Sequence, residues 1–202
     1  MRPVIILATR NPGKVREIRE ILSGLPLDIG SPDLFPGIPS VPEIEETGAT
    51  LEENALIKAG TVFRITGLPA IADDTGLEVD ALGGAPGVIS ARYAGENVSY
   101  DDNNRKLLDA LSGVGEGRRT ARFRCVAAYA GPGNEHVVEG RCEGSIGTVA
   151  RGTRGFGYDP LFIPDGYDRS FAELPTGVKN LISHRSAAFR KMGEYLRGIY
   201  QI

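Results

Sequence analysis

The chain has only two cysteines, Cys125 and Cys142, too few for a disulfide framework. They flank the turn Gly131-Pro132-Gly133-Asn134-Glu135, so a symmetric hairpin would set the two thiols opposite each other. In a reducing cytosol both are expected to be free. Long apolar runs are also missing. Val4 to Ala8 is the longest early run, far short of a membrane span. Arg10 and Lys14 follow it with no cleavage-type segment, so it does not read as a secretion signal. The expectation is a cytoplasmic protein without a membrane partner. No long basic run occurs, and the net charge is −3, which argues against duplex nucleic acid as a partner. Any anion site must therefore come from a few placed cations and helix ends. Repeats and low-complexity segments are absent as well.

What is present suits a globular protein. The 202 residues are 41% hydrophobic and 24% charged, enough for a sizeable core in one domain over 1–202 or two lobes sharing one sheet. Val4 to Ala8 reads as a buried strand. Asn11 then caps, and Pro12 begins, a helix with Val15, Ile18, Ile21 and Leu22 on its apolar stripe. Leu27 to Gly30 is expected as a second strand, and the proline-rich stretch 32–43 as loop. Thr50 and Glu53 form a capping box for a helix that Gly67 stops. Leu68 to Ala72 is expected as a strand ending at Asp73-Asp74, and 76–97 as loop with a short extended piece. Ser99 and Asp102 cap a third helix through Leu111. Thr120 to Ala130 alternates as a strand with Ala121, Phe123, Cys125, Ala127 and Tyr129 on one face, and 136–150 supplies its hairpin partner. Leu161 to Ile163 is a further strand, and a last helix spans about Ser186 to Leu196. Early helix–strand alternation followed by hairpins predicts an α/β fold with a mixed β-sheet and flanking helices.

Five stretches carry chemistry. Asp73 and Asp74 end a strand and precede Thr75 and Gly76. Adjacent like charges repel unless a cation lies between them, so the pair suggests Mg²⁺, although a solvated strand-to-turn corner has the same composition. Thr9-Arg10-Asn11-Pro12-Gly13-Lys14 presents a helix amino terminus and a cation to an anion such as phosphate. It lacks the long glycine cradle and Lys-Ser/Thr pair of a Walker loop; alone, it is a well-capped helix with a surface lysine. Glu45 and Glu46 precede the second helix, on which Asn54 and Lys58 share a face. Either glutamate is a candidate to join the Asp73-Asp74 corner, or the two form a solvated acidic patch. Gly155-Phe156-Gly157-Tyr158-Asp159-Pro160 combines glycines that admit a ligand with aromatics that offer a base a stacking surface, or else supplies core aromatics. Lys179, and His184 with Arg185 at a helix start, complete the set. Cations at that helix end oppose the dipole, which points to a ligand; an Arg there can donate to the acceptors of a 6-oxo purine.

Taken in order, these stretches, with Leu82-Gly83-Gly84-Ala85-Pro86-Gly87, Ser90-Ala91-Arg92-Tyr93 and Ser183-His184-Arg185, resemble the inosine triphosphate pyrophosphatase family, which hydrolyses dITP, ITP and XTP. The resemblance covers nearly the whole chain. It implies an elongated, two-lobed architecture with a central cleft, a homodimer, and Mg²⁺ dependence. It implies triphosphate binding by Thr9, Arg10, Asn11, Pro12, Gly13 and Lys14, metal binding by Glu45 and Asp74, and Asp74 as general base. Thr75, Phe156, Gly157, Tyr158, Asp159, Lys179, His184 and Arg185 would bind the purine nucleoside triphosphate, with Lys58 placing phosphate or water. The expected reaction is attack of water on the α-phosphorus, releasing pyrophosphate. Two rivals remain on the residues alone. One is a phosphatase with an aspartyl nucleophile, whose usual spacing puts one residue between the two acids. The other is a non-catalytic nucleotide-binding regulator, against which the acidic corner argues.

Overall fold

The computed structural model describes residues 2–202. Strand β1 (Val4–Leu7) is followed by helix α1 (Pro12–Ile21), whose cap Asn11 accepts from the amides of Gly13 and Lys14. Strand β2 (Asp28–Gly30) returns parallel to β1, with Val4 opposite Asp28. Helix α2 (Leu51–Thr66) starts at the expected capping box and stops at Gly67, whose φ of 68° is the left-handed conformation glycine adopts without a Cβ penalty. Thr50→Ala removes the Oγ1 that accepts the Glu53 amide at 3.1 Å. It is expected to lower stability by about 1 kcal/mol, read from the urea midpoint.

Strand β3 (Ala70–Val79) lies parallel to β1 and antiparallel to the short β4 (Pro86–Gly87). The sequence reading ended this strand at Ala72. The chain instead continues extended through both aspartates, because their side chains meet cations and lose the disadvantage that Asp has in strands. Helix α3 (Tyr100–Ala110) carries the expected Ser99–Asp102 capping box. Strands β5 (Thr120–Gly131) and β6 (Asn134–Ile146) form a hairpin around Pro132-Gly133, and β7 (Phe162–Pro164) pairs antiparallel to β6. Helix α4 (Thr176–Ile182), absent from the sequence reading, precedes α5 (His184–Tyr200). The mixed sheet has strand order β2-β1-β3-β5-β6-β7, with β4 beside β3.

The chain divides into two compact units. The first comprises residues up to Asp74, Cys125–Gly140 and Arg185–Ile202; the second comprises Thr75–Arg124 and Arg141–His184. In the first, α1 contributes Ile18, and α5 contributes Ala188, Met192 and Leu196 at four-residue intervals, to a core that includes Ile5 and Leu7. In the second, Leu107 of α3 and Leu111, its C-cap residue, join Leu77, Phe123 and Phe162. Both cysteines are buried thiols, Cys125 in the first core and Cys142 in the second. Burial pushes the Cys142 thiol up to about 12. Among the described residues no helix is long and apolar enough to cross a membrane.

Candidate functional site

Successive side chains of a strand point to opposite faces, and this separates Asp73 from Asp74. The sequence reading placed one cation between them; the structure gives each carboxylate its own. Asp73 Oδ2 lies 3.0 Å from Lys14 Nζ on α1 and 3.2 Å from Arg185 Nη2 on α5. Burial alone would raise the Asp73 pKa, but Lys14, Arg185 and Lys58 hold it well below the usual carboxylate range. Asp74 turns to α2. Its Oδ1 lies 2.8 Å from Lys58 Nζ, and its Oδ2 accepts a long 3.4 Å bond from Asn54. Asn54 and Lys58 therefore use their shared helix face on one carboxylate.

The segment before α2 is tied to the same point. Lys58 Nζ also lies 2.7 Å from Glu46 Oε1, and the Gly48 amide donates to Asn54 Oδ1 at 2.7 Å. A Cβ at Gly48 would lie 2.7 Å from that oxygen, so a side chain there would dislodge Asn54. Glu46 thus shares Lys58 with Asp74, whereas Glu45, the glutamate expected as metal ligand, is exposed. Burial pushes the Asp74 carboxyl above its ordinary value; Lys58 opposes the rise and Glu46 adds to it. Burial alone would lower the Lys58 ammonium, yet Asp74 and Glu46 raise it overall, so it stays charged.

These oxygens suit a hard divalent cation. Glu46 Oε1 and Asp74 Oδ1 already converge on one positive centre, the Lys58 ammonium. Among the described residues no group of three or more His, Cys, Asp or Glu converges on one point. A Mg²⁺ here would take few protein ligands and complete its shell with water and phosphate, as this ion commonly does.

The amino terminus of α1 departs from expectation. Its first-turn amides are already engaged. Pro12 has none, Asn11 Oδ1 takes those of Gly13 and Lys14 at 2.9 and 3.2 Å, and Val15 N donates to Asn11 O. Thr9 Oγ1 accepts the Asn11 amide, and Arg10 reaches the Val41 carbonyl at 2.6 Å. The helix dipole and the Lys14 ammonium, whose side chain is 17% exposed, are open to an anion.

In the second unit, Asp159 Oδ2 accepts from Lys179 Nζ at 2.6 Å and from the Phe156 amide at 2.9 Å. The Lys179 ammonium lies 5.0 Å from the Phe156 ring centre, within cation–π range. Gly155 has φ 76°, and a Cβ there would collide with the Asp159 carboxylate. Asn104 on α3 pins the same loop by donating to the Gly157 carbonyl at 3.1 Å. Phe156 is half-buried, whereas Tyr158 does not offer the stacking surface expected of it. Its ring belongs to the core and its hydroxyl donates to the Ser90 carbonyl at 2.9 Å. His184 is buried, stacked on Phe123 at 4.5 Å. Thr75 is half-buried at the start of this unit.

Arg185 is 1% exposed, and its Nη1 lies 2.7 Å from Glu17 Oε2. Two carboxylates thus account for a cation at the unfavourable end of α5, where the sequence reading invoked a ligand. Glu17 and Asn104 were both missed. Glu17 left a signal: an acid three residues after Lys14 on one helix, beside the apolar Ile18. Asn104 left none, since it contacts a loop distant in sequence.

Comparisons with known proteins agree with one another. The Ham1 family model matches residues 5–195. A dITP/XTP pyrophosphatase of Geobacter sulfurreducens is 51% identical over 193 residues, covering 95% of this chain and 96% of that protein. One from Bacillus subtilis is 49% identical over 192 residues, covering 95% and 96%. Among solved structures, a HAM1 protein from Coxiella burnetii superposes with a TM-score of 0.86 at 41% identity, covering 97% of this chain and 99% of that one. A nucleoside-triphosphatase / dITP/XTP pyrophosphatase from Mycobacterium abscessus gives 0.74 at 42% identity, covering 94% and 98%.

Proposed function

The chain belongs to the Ham1 family, and from that premise we propose that it hydrolyses non-standard purine nucleoside triphosphates (dITP, ITP and XTP) to the monophosphate and pyrophosphate. The observation that carries the reading is the buried Asp74 carboxylate, 2.8 Å from Lys58 and in the same unit as the Lys14 ammonium. A base with a raised pKa accepts a proton from water more readily than an ordinary carboxylate. Asp74 takes that proton as the water oxygen attacks the α-phosphorus. The bond to the bridging oxygen breaks, and pyrophosphate leaves with the electron pair. Lys14 neutralises the charge that grows on the leaving group, and Lys58 holds Asp74 in place. Asp74, with Glu46 or the neighbouring Glu45, would hold Mg²⁺, which supplies charge neutralisation to the phosphates when bound.

In the second unit, Thr75, Phe156, Gly157, Asp159, Lys179 and His184 are proposed substrate contacts; the family resemblance supports these assignments. The same resemblance supports a homodimer acting in the cytoplasm. The test is a panel of dITP, ITP, XTP, dGTP and dATP with Mg²⁺, followed by chromatography of the products. Monophosphate and pyrophosphate from the first three, lost on chelation with EDTA, are expected. Inorganic phosphate with a phosphoenzyme, or tight ITP binding without turnover, would overturn the proposal.

A further inference from the structure

Lys14 and Glu17 stand three residues apart on α1 and are joined through two other elements of the same unit. Glu17 Oε2 lies 2.7 Å from Arg185 Nη1 on α5. Arg185 Nη2 and Nε lie 3.2 and 3.3 Å from Asp73 Oδ2 on β3. That same oxygen lies 3.0 Å from Lys14 Nζ. The charges alternate: Glu17 negative, Arg185 positive, Asp73 negative, Lys14 positive. The series begins and ends on one helix. Side-chain exposure is 4% for Glu17, 1% for Arg185 and 0% for Asp73, against 17% for Lys14. Three sealed members thus lead to one cation that reaches solvent.

We infer that Glu17 is a positioning residue that fixes the Lys14 ammonium for the triphosphate by way of Arg185 and Asp73. The inference rests on the reading above, in which Lys14 grips phosphate. Arg185 is too buried to exchange a lost partner for water. Without the Glu17 charge, Arg185 loses one of the carboxylates it faces and draws that of Asp73 away from Lys14. Lys14 then loses its anchor. Simple electrostatics predicts the opposite result, because removing a negative charge near a polyanion strengthens its binding. A purely structural role predicts a third: lower stability with unchanged constants for the folded protein. The direction of the change in KM therefore separates the three.

The experiment compares Glu17→Gln in the wild-type and Lys14→Ala backgrounds, with dITP and Mg²⁺. In the wild-type background KM is expected to rise about ten-fold with kcat within about three-fold. In the Lys14→Ala background the same change is expected to add less than about two-fold, since its route of action is gone. Glu17→Asp keeps the charge on a shorter stem and is expected to restore part of the loss. If Glu17→Gln does not fold, Glu17→Asp carries the comparison, with a rise of about three-fold that vanishes beside Lys14→Ala. An unchanged or lowered KM, or an effect that persists without Lys14, overturns the inference. Calorimetry with inorganic triphosphate needs no turnover, and the dissociation constant is expected to move as KM does. A wild-type protein that leaves dITP intact overturns the proposed reaction, while calorimetry still decides the role of Glu17.

Discussion

Asp74→Asn is expected to lower kcat for dITP by about a thousand-fold or more, while the protein stays folded. The substitution keeps the shape of the side chain and an oxygen to face Lys58, which sits 2.8 Å from Asp74 Oδ1. It gives up an acceptor only toward Asn54, through a long bond of 3.4 Å. Lys58 keeps Glu46 at 2.7 Å, so no buried ammonium is stranded. The cost in stability is expected to be about 1 kcal/mol. Chemistry should suffer far more, because an amide cannot take a proton from water and carries no charge to offer a metal ion. Steady-state kinetics beside a thermal melt checks both halves. Turnover within ten-fold of wild type would remove Asp74 as base. A collapsed melt would show that its partners were misjudged.

The contrast between Asp73 and Asp74 also marks the limit of what the sequence made legible. The helices were readable because their signals are local: Asn11 with Pro12, Thr50 with Glu53, and Ser99 with Asp102 all cap where expected. The alternation along β5 was readable for the same reason. Strand β3 was not, since its seven residues after Ala72 include acids that are favourable in a strand only with cations from α1, α2 and α5 beside them. Those partners lie tens of residues away, and propensity does not report them. The site shows the same division. Lys14, Lys58, Asp74 and Arg185 were picked out by residue type and spacing. Which carboxylate each cation meets follows from the two faces of one strand, so Glu17 went unseen and Arg185 was assigned a ligand in place of Glu17 and Asp73. Tyr158 looked like Phe156 by composition; only packing distinguishes a ring in the core from one that is half-buried.

Lys179→Met is expected to destabilise the protein by about 3–5 kcal/mol, and a second substitution, Asp159→Asn, is expected to recover most of that. The pair is 5% and 3% exposed in its side chains and 2.6 Å apart. Methionine replaces the lysine stem and suits the neighbouring rings of Phe156 and Phe171, so packing is largely preserved. What is lost is the charge that balances a buried carboxylate. Asparagine at 159 removes the stranded charge and keeps an oxygen for that amide, leaving the loop from Gly155 onward in its turn. Urea unfolding of the two single variants and the double variant measures the coupling directly. A loss below about 1 kcal/mol for Lys179→Met, or no recovery in the double variant, would mean that the pair does not act as a unit. The double variant has a second use. Both side chains are proposed substrate contacts, so it should be folded and still at least about a hundred-fold less active. Folded and fully active, it would confine Asp159 and Lys179 to holding the glycine loop in shape.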